Sequence, residues 1–304
     1  MTVSVRLEPM SADRYAGWAA ESTAGFADQQ VAAGVMPAPE AREYAAGEFD
    51  RLLPEGLLTP GHHIWSAYDE DVEVGYLWLR LREHSDGIDA FVLDIAVAPE
   101  AQRRGYAHAI LLAGEEQARL RDAAAMRLNV FGHNVAARRL YDSLGYQPES
   151  TMMTRRLDDA SALSLRGGPS VRLEAMRQQQ FVAHRALVEP DTARQLPTGL
   201  ASAGHCFWAA YDGPVDVGLI WLDVTQKSDG LHAFGYDLVV KEDLRGHGYG
   251  RAIMAAAEEI CRQRGVVSVG LNLCCVDARA QSLCEQMGFS PSATLMSKPL
   301  ASPR

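Results

Sequence analysis

Two hydrophobic periods alternate along the chain, one of about two residues and one of about three and a half, and their order sets the expected fold. Val3 to Glu8 alternates apolar and polar positions as a strand does. Two helices follow, roughly Ala24 to Ala33 and Ala38 to Leu53, the second opened by Pro39 and Glu40 and closed before Pro54 and Gly56. Ile64 to Tyr68 and Val72 to Arg82 read as a hairpin turning at Asp69, Glu70 and Asp71, with Val74, Tyr76, Trp78 and Arg80 on one face. Ala90 to Ala98 is the next strand. From Arg104 to about Ala125 the pattern is helical, and Ile110, Leu111, Gly114 and Ala118 form an apolar stripe. Met126 to Phe131 is a strand, after which Asn134 caps a helix carrying Ala137, Leu140, Tyr141 and Leu144 on one face until Gly145 ends it. A last strand, about Met152 to Leu157, completes a mixed sheet with helices on both sides, an α/β (α+β) unit.

The pattern then repeats. Gly61-His62-His63-Ile64-Trp65-Ser66-Ala67-Tyr68-Asp69 returns as Gly204-His205-Cys206-Phe207-Trp208-Ala209-Ala210-Tyr211-Asp212, an offset of 143 residues that holds at Asp94/Asp237, Gly105/Gly248, Asn129/Asn272 and Gly145/Gly288. Self-similarity on this scale means one domain type used twice. Upstream, Val5-Arg6-Leu7-Glu8 matches Val171-Arg172-Leu173-Glu174 at an offset of 166, so the second copy has 23 residues fewer between its first strand and Gly204. It keeps a shortened helical region, Gln178 to Gly199, where the first copy has two helices. The small-residue stretch around Asp158 to Ser170 suits a connection. The expected division is a first domain over 1–158, a linker over 159–169 and a second domain over 170–304.

Composition narrows the partners. With 304 residues, 47% hydrophobic and 22% charged, each half can bury a core. A net charge of −10 argues against nucleic acid and suits a neutral or cationic acceptor, although a dispersed acidic surface ordinarily serves solubility. The five cysteines all lie in the second half without Cys-x-x-Cys spacing, so reduced, mostly buried thiols are expected and no metal site. No basic, apolar leader opens the chain and no apolar run is long enough to span a bilayer, which points to a cytoplasmic protein without a membrane partner.

The candidate chemistry lies where a buried strand runs through a short turn into a helix, at Asp94 to Ala107 and again at Asp237 to Gly250. A helix's first amides have no partner within it, and its positive end attracts an anion. The pattern Gln/Arg-x-x-Gly-x-Gly/Ala is met by Gln102, Gly105 and Ala107, and by Arg245, Gly248 and Gly250. One such turn is ordinarily just a strand-to-helix connection; two copies with the same downstream signature point to a phosphate group.

With Asp94-Ile95-Ala96-Val97, Gln102-x-x-Gly105-x-Ala107 and Asn134-x-x-Ala137-x-x-Leu140-Tyr141-x-x-Leu144-Gly145-Tyr146, the chain resembles the GNAT superfamily of acyl-CoA N-acyltransferases. The second copy carries Leu238-Val239-Val240, Arg245-x-x-Gly248-x-Gly250 and Asp277-x-x-Ala280-x-x-Leu283-Cys284-x-x-Met287-Gly288-Phe289. The resemblance implies two tandem GNAT-like domains using acetyl-CoA as cosubstrate. It implies that Ile95, Ala96 and Val97, with Leu238, Val239 and Val240, pair with pantetheine where a bulge splays the strand. The pyrophosphate would sit on the amides of Arg103, Arg104, Gly105, Tyr106, Ala107 and His108, and on those of Gly246, His247, Gly248, Tyr249, Gly250 and Arg251. Asn134 would lie beside the pantetheine arm, with Asp277 its counterpart. Tyr141 matches the family's general acid, a phenol that stays protonated at neutral pH yet can hydrogen-bond the departing thiolate. Cys284 at that position, together with the missing helical segment, makes the second copy the degenerate one.

The base that accepts the amine's proton is Asp94 or another group. A carboxylate in mid-strand is costly to bury and its pKa should rise, but Asp237 repeats it in the second copy, which weakens the catalytic reading in favour of a structural role. Asn129, where some family members carry glutamate, is not basic, and His84 at the hairpin's far end suits the surface. If the hairpin faces the acceptor, Trp78, Arg80 and Arg82 line it and bind an acidic group; otherwise Trp78 packs in the core and the arginines are exposed. The expected activity is direct transfer of acetyl to a primary amine of a small molecule in the first domain, without a metal. The alternatives are a non-catalytic CoA-binding sensor or scaffold, and a mycothiol-synthase-like enzyme whose second domain is active. A pseudo-dimeric monomer or a homodimer is the expected assembly.

Overall fold

A computed structural model describes residues 3–84, 87–157, 168–185, 199–227, 229–274 and 278–300. In chain order its elements begin with β1 (Arg6–Pro9), α1 (Ala12–Ala32), α2 (Ala38–Leu52), β2 (His62–Asp69), β3 (Val72–His84), β4 (Gly87–Val97) and α3 (Tyr106–Arg119). They continue with β5 (Ala123–Phe131), α4 (Val135–Ser143), β6 (Gln147–Arg156), β7 (Arg172–Ala175) and α5 (Gln178–Arg185). The rest are β8 (His205–Asp212), β9 (Val215–Lys227), β10 (Gly230–Val240), α6 (Tyr249–Gln263), β11 (Val266–Cys274), α7 (Ala278–Gln286) and β12 (Ser290–Pro299).

The chain forms two compact units, one of Met1–Thr151 with Ser292–Arg304, the other Met152–Pro291. The first unit's sheet runs β1-β2-β3-β4-β5-β12, antiparallel except for the parallel pair β4/β5. The second runs β6-β11-β10-β9-β8-β7, with β10/β11 the parallel pair and β6 contributing from Met152. This spatial division differs from a cut between the repeats, because each copy's last strand sits in the other copy's unit. In the first unit Ala293 to Pro299 lie antiparallel to Ala125 to Phe131. β6 and β12 are the same strand 143 residues apart, and an alternating pattern specifies a strand's inward face without specifying which copy's sheet it joins.

A buried charge holds each exchanged strand. Glu115 of α3 is 1% exposed, and Lys298 of β12 donates to both its carboxylate oxygens at 2.7 Å while Arg119 adds a bond of 3.2 Å. At the equivalent positions of the second unit, Glu258 of α6 receives Arg155 of β6 at 2.8 Å, with Arg262 alongside. Removing one partner of a buried pair leaves a charge without compensation. Lys298→Met is therefore expected to destabilise the protein by about 3 kcal/mol in a denaturant melt. Adding Glu115→Gln should recover most of the loss; no recovery would mean that Lys298 acts by packing alone.

Two cores flank the first sheet. Leu77, Leu79, Val92, Met126 and Leu128 meet Ile110 and Leu111 of α3, Tyr141 of α4 and Leu144 just after it on one face. On the other, Tyr76 and Trp78 meet Trp18 of α1, with Phe49 of α2 packed against them. The second unit has the first kind of core in full, but its other face carries a smaller cluster of Met176, Phe181, Phe207 and Trp221. α5 covers Gln178–Arg185 of its expected helical region, and 186–198 lie outside the described residues.

Four expectations need correction. α1 starts at Ala12, not near Ala24: Ser11 caps it, accepting the Arg14 N–H at 3.3 Å, and the alanine- and glycine-rich first turns blur the period although Trp18 and Ser22 point inward. α3 stops at Arg119, and Ala123 to Ala125, good helix formers by themselves, instead start β5 because tertiary strand pairing overrides propensity. Val74 does not share a face with Tyr76 and Trp78. A bulge sets Ala67 opposite Gly75 and Tyr68 opposite Glu73, so Val74 turns into the core on α3's side. The thiols are only partly buried: Cys261 and Cys284 are buried, Cys206 half-buried and Cys274 exposed, none in a disulfide, while Cys275 lies outside the described residues. No helix is long and apolar enough to cross a membrane, and no metal-holding group occurs among the described residues.

Candidate active site

The site begins where β4 leaves its neighbour. Trp78 pairs with Asp94 and Leu79 with Val92, so Leu93 is an extra residue that bulges β4. The parallel pairing with β5 ends at Val92 opposite Leu128, while β5 runs on to Phe131 against β12. Ile95, Ala96 and Val97 pair with β3 alone, which leaves the backbone edge toward β5 without a strand. The second unit repeats this: Tyr236 is the bulge, β10/β11 pairing ends at Gly235 opposite Leu271, and Leu238, Val239 and Val240 pair with β9.

Each free edge leads into the glycine turn. The Gln102 side-chain amide donates to the Val97 carbonyl at 3.2 Å, and the Arg245 Nε to the Val240 carbonyl at 3.3 Å, so the first residue of each motif staples the turn to its strand. Gly105 and Gly248, the residues ahead of α3 and α6, have φ of 93° and 88°. Arg103 also adopts a left-handed φ of 58°, a conformation costing a side chain about 1–2 kcal/mol, whereas Gly246 fills the same place at 81°. The Ala109 N–H reaches the Gly105 carbonyl at 3.1 Å and the Ala252 N–H the Gly248 carbonyl at 3.1 Å, so the amides of Tyr106, Ala107 and His108, or Tyr249, Gly250 and Arg251, lie ahead of the helix's own ladder. Both turns can therefore receive an anion.

Their side chains are differently placed. Tyr106 donates to Asp69 at 2.5 Å and Tyr249 to Asp212 at 2.9 Å, which turns both rings inward and leaves the backbone to face the turn. The Arg104 guanidinium lies over the Tyr106 ring, 5.4 Å from its centroid. His247 Nδ1 is 3.0 Å from the Arg245 carbonyl, and Arg251 donates to Gln286 at 2.5 Å. The Asn134 side chain accepts the Ala137 N–H at 3.1 Å as the cap of α4; Asp277 lies outside the described residues.

Asp94 faces α1. Its Oδ2 accepts from the Ser22 hydroxyl and from the Tyr76 phenol, the latter at 3.0 Å. Burial lifts its carboxyl above the usual range, against the pull of those two donors and the Ile95 N–H. Tyr76 is itself pushed upward, by burial first and then by the Asp94 charge. Tyr141 packs in the core on α3's side, 6% exposed, its ring edge-on to Tyr146. Burial and then the Asp94 charge push its phenol up to about 12, and its hydroxyl has no hydrogen bond among the described residues. Nothing in the sequence marks Ser22, which falls before the expected helix, whereas Tyr76 is visible only as one residue of an apolar face.

The second unit lacks this grouping. Leu219 stands where Tyr76 would and Cys284 where Tyr141 would, and 186–198, which follow α5, lie outside the described residues. What both units share is structural: Trp78 Nε1 donates to His62 Nδ1 at 3.0 Å and Trp221 Nε1 to His205 Nδ1 at 3.0 Å. Burial, reinforced by Arg80, His63 and Arg82, takes His62 down to about 4, so it stays neutral. His84, 3.4 Å from Asp89, and Asn129, paired with Leu295 in the sheet, are not among Asp94's contacts. A cleft of ≈ 640 Å³ opens between α1 and α2, lined by Tyr15, Thr23, Asp28, Arg42 and Phe49 among others. It lies between the helices, whereas Ser22 and Trp18 of α1 turn to the sheet.

Comparison with known proteins accounts for the repeated geometry. The model of the acetyltransferase (GNAT) family matches residues 30–146 and 172–289. The uncharacterized N-acetyltransferase YycN of Bacillus subtilis is 31% identical over 156 residues, 51% of this chain and 100% of its own. A mycothiol acetyltransferase of Propionibacterium freudenreichii is 26% identical over 253 residues, 78% of this chain and 77% of its own. Among solved structures, a tandem GNAT protein from the clavulanic acid biosynthesis pathway has a TM-score of 0.51 at 18% identity, spanning 99% of this chain and 100% of its own, a likeness of fold. With the family's model met twice and over most of its length, the chain belongs to the GNAT acetyltransferase family and carries the family's domain in tandem.

Proposed function

We propose that the protein is an acetyl-CoA-dependent N-acetyltransferase that acetylates a primary amine of a small molecule, with the first unit active. The observation that carries this reading is the asymmetry of the two units: both have the splayed strand and anion-receiving turn, and only the first has phenols at the Tyr141 and Tyr76 positions, Tyr76 and Ser22 donating to Asp94. The free edge of Ile95 to Val97 suits an amide-bearing pantetheine arm, and the turn amides with no Cβ at Gly105 suit a diphosphate. Acetyl-CoA bound there supplies a thioester carbonyl to an attacking amine. Asp94 takes the amine's proton, its Oδ2 held by Ser22 and Tyr76. A backbone N–H of the Ile95 to Val97 edge polarises the carbonyl, and the Tyr141 hydroxyl donates a hydrogen bond to the leaving sulfur.

The likeness to mycothiol acetyltransferases favours a second reading, transfer in the second unit. A buried thiol at Cys284 and an apolar Leu219 supply no phenol at the positions of Tyr141 and Tyr76, and they weigh against it. Thiol release from acetyl-CoA across a panel of small amines tests the proposal, with Cys284→Ala expected to change kcat by less than about twofold. Absence of acceptor-dependent release would leave a CoA-binding sensor, and loss of turnover in Cys284→Ala would move the chemistry to the second unit.

A further inference from the structure

Trp78, Arg80 and Arg82 alternate along β3, so they share its face, and Trp78 lies opposite Asp94. Trp78 is the floor of the aromatic cluster, 5.4 Å from Trp18 and 5.1 Å from Phe49 between ring centroids. Beyond it the face becomes strongly basic. Arg80 has no hydrogen bond or ion pair among the described residues, and Arg82 only stacks on the Phe91 ring at 5.0 Å. Arg80, Arg127 and Arg51 all act on Arg82, so four guanidinium groups gather here.

The carboxylates around them are already engaged. Asp89 pairs with Arg127 and lies 3.4 Å from His84, Glu149 pairs with Arg127 at 3.2 Å, and Glu48 pairs with Arg51 at 2.6 Å. Among the described residues Arg80 and Arg82 are left as two cations without a counter-charge, in a chain whose net charge is −10. Because His62 Nδ1 accepts from Trp78, its proton sits on Nε2, so the ring next to Arg80 in register is a further neutral donor. The second unit reverses the charge: Asp223 and Thr225 occupy the equivalent positions and bond to each other at 2.9 Å. A basic pair built only into the unit that carries the Asp94 grouping serves recognition rather than the fold the units share.

We propose that the acceptor carries an anionic group, a carboxylate or a phosphate, which Arg80 and Arg82 hold while its amine meets Asp94. This rests on acetyl transfer in the first unit. Strands rise about 3.4 Å per residue, which puts Arg80 and Arg82 about 7 and 14 Å along β3 from the Asp94 position. The acceptor is then an amine whose anion lies several bonds away, as in an ω-amino acid or an ω-aminoalkyl phosphate. Guanidinium forks bind both anions in the same bidentate way.

Calorimetric titration of the full chain with 6-aminohexanoate, 3-aminopropyl phosphate and hexylamine tests this, and the two anionic arms separate carboxylate from phosphate. At least one anionic probe should bind about tenfold more tightly than hexylamine, and Arg80→Gln/Arg82→Gln should bring it to the hexylamine level while hexylamine binding stays unchanged. In turnover the same variant should raise KM for the anionic amine about tenfold with kcat unmoved. Equal binding of all three probes by the native chain, or a variant that keeps the preference, overturns the assignment. If the double variant does not fold, Arg82→Gln alone, at an exposed position, should lose part of the preference, and its keeping all of it also overturns the assignment. Binding is read apart from turnover, so anion preference without transfer to any amine would defeat the proposed reaction and leave the anion site standing.

Discussion

Tyr141→Phe should cut kcat by about 10²–10³-fold while leaving acetyl-CoA affinity within about twofold. The phenol is buried and pushed up to about 12, so it remains protonated across the working range and has a hydrogen to donate where negative charge develops on sulfur. A CoA thiol titrates near 8.5, so a phenol at about 12 gives its proton up only against the gradient. Its contribution is then a hydrogen bond that strengthens as the C–S bond breaks, which lowers kcat and kcat/KM together when removed. Phenylalanine keeps the ring against Tyr146 and the core under α3, so the fold is spared. The pH–rate profile of the native enzyme should show no Tyr141 limb below about pH 11. Unchanged turnover in Tyr141→Phe would take the residue out of the mechanism.

Asp94→Asn should lower kcat/KM by at least about 10²-fold without lowering Tm at neutral pH. The sign follows from the raised carboxyl. Between the ordinary carboxylate range and the elevated folded value, the folded state binds more protons than the unfolded chain, so stability falls as pH rises through that window. Above it the full penalty of a buried carboxylate is present, and asparagine removes that penalty while its amide oxygen can still accept from Ser22 and Tyr76. Thermal melts and kinetics on the one variant would therefore separate, activity falling as Tm holds or rises. The native enzyme should lose activity on acidification at a pH above that of an exposed aspartate. A coordinated fall in both quantities would make Asp94 a structural residue.

Much of this architecture is legible in the residues because local signals agree with the fold. The Gly105 and Gly248 turns, the Asn134 cap and the Ile110-Leu111-Gly114-Ala118 stripe are each set by contacts within a few residues, and the structure has each where the pattern puts it. Non-local features are a different matter. The Val74 bulge shifts parity through pairing with β2, and Ala123 to Ala125 become strand through neighbours distant in sequence. Ser22 meets Asp94 only because α1 starts twelve residues earlier than its alanine-rich composition suggests. Arg80 and Arg82 are visible as charges on a strand, but their lack of counter-ions among the described residues emerges only once Asp89, Glu149 and Glu48 are assigned to other cations.

The place of β12 in the first unit bears on how the chain is made. A ribosome adding about 5–20 residues per second releases all of Met1 to Thr151 well before Ser290 to Pro299, so the first unit's sheet gains β12 only after the second copy has been made. In the interval β6, which carries the same pattern with Arg155 where β12 has Lys298, is the nearer partner for β5 and for Glu115. A nascent chain stalled before Ser290 would therefore leave β5 without its β12 neighbour and Glu115 without Lys298.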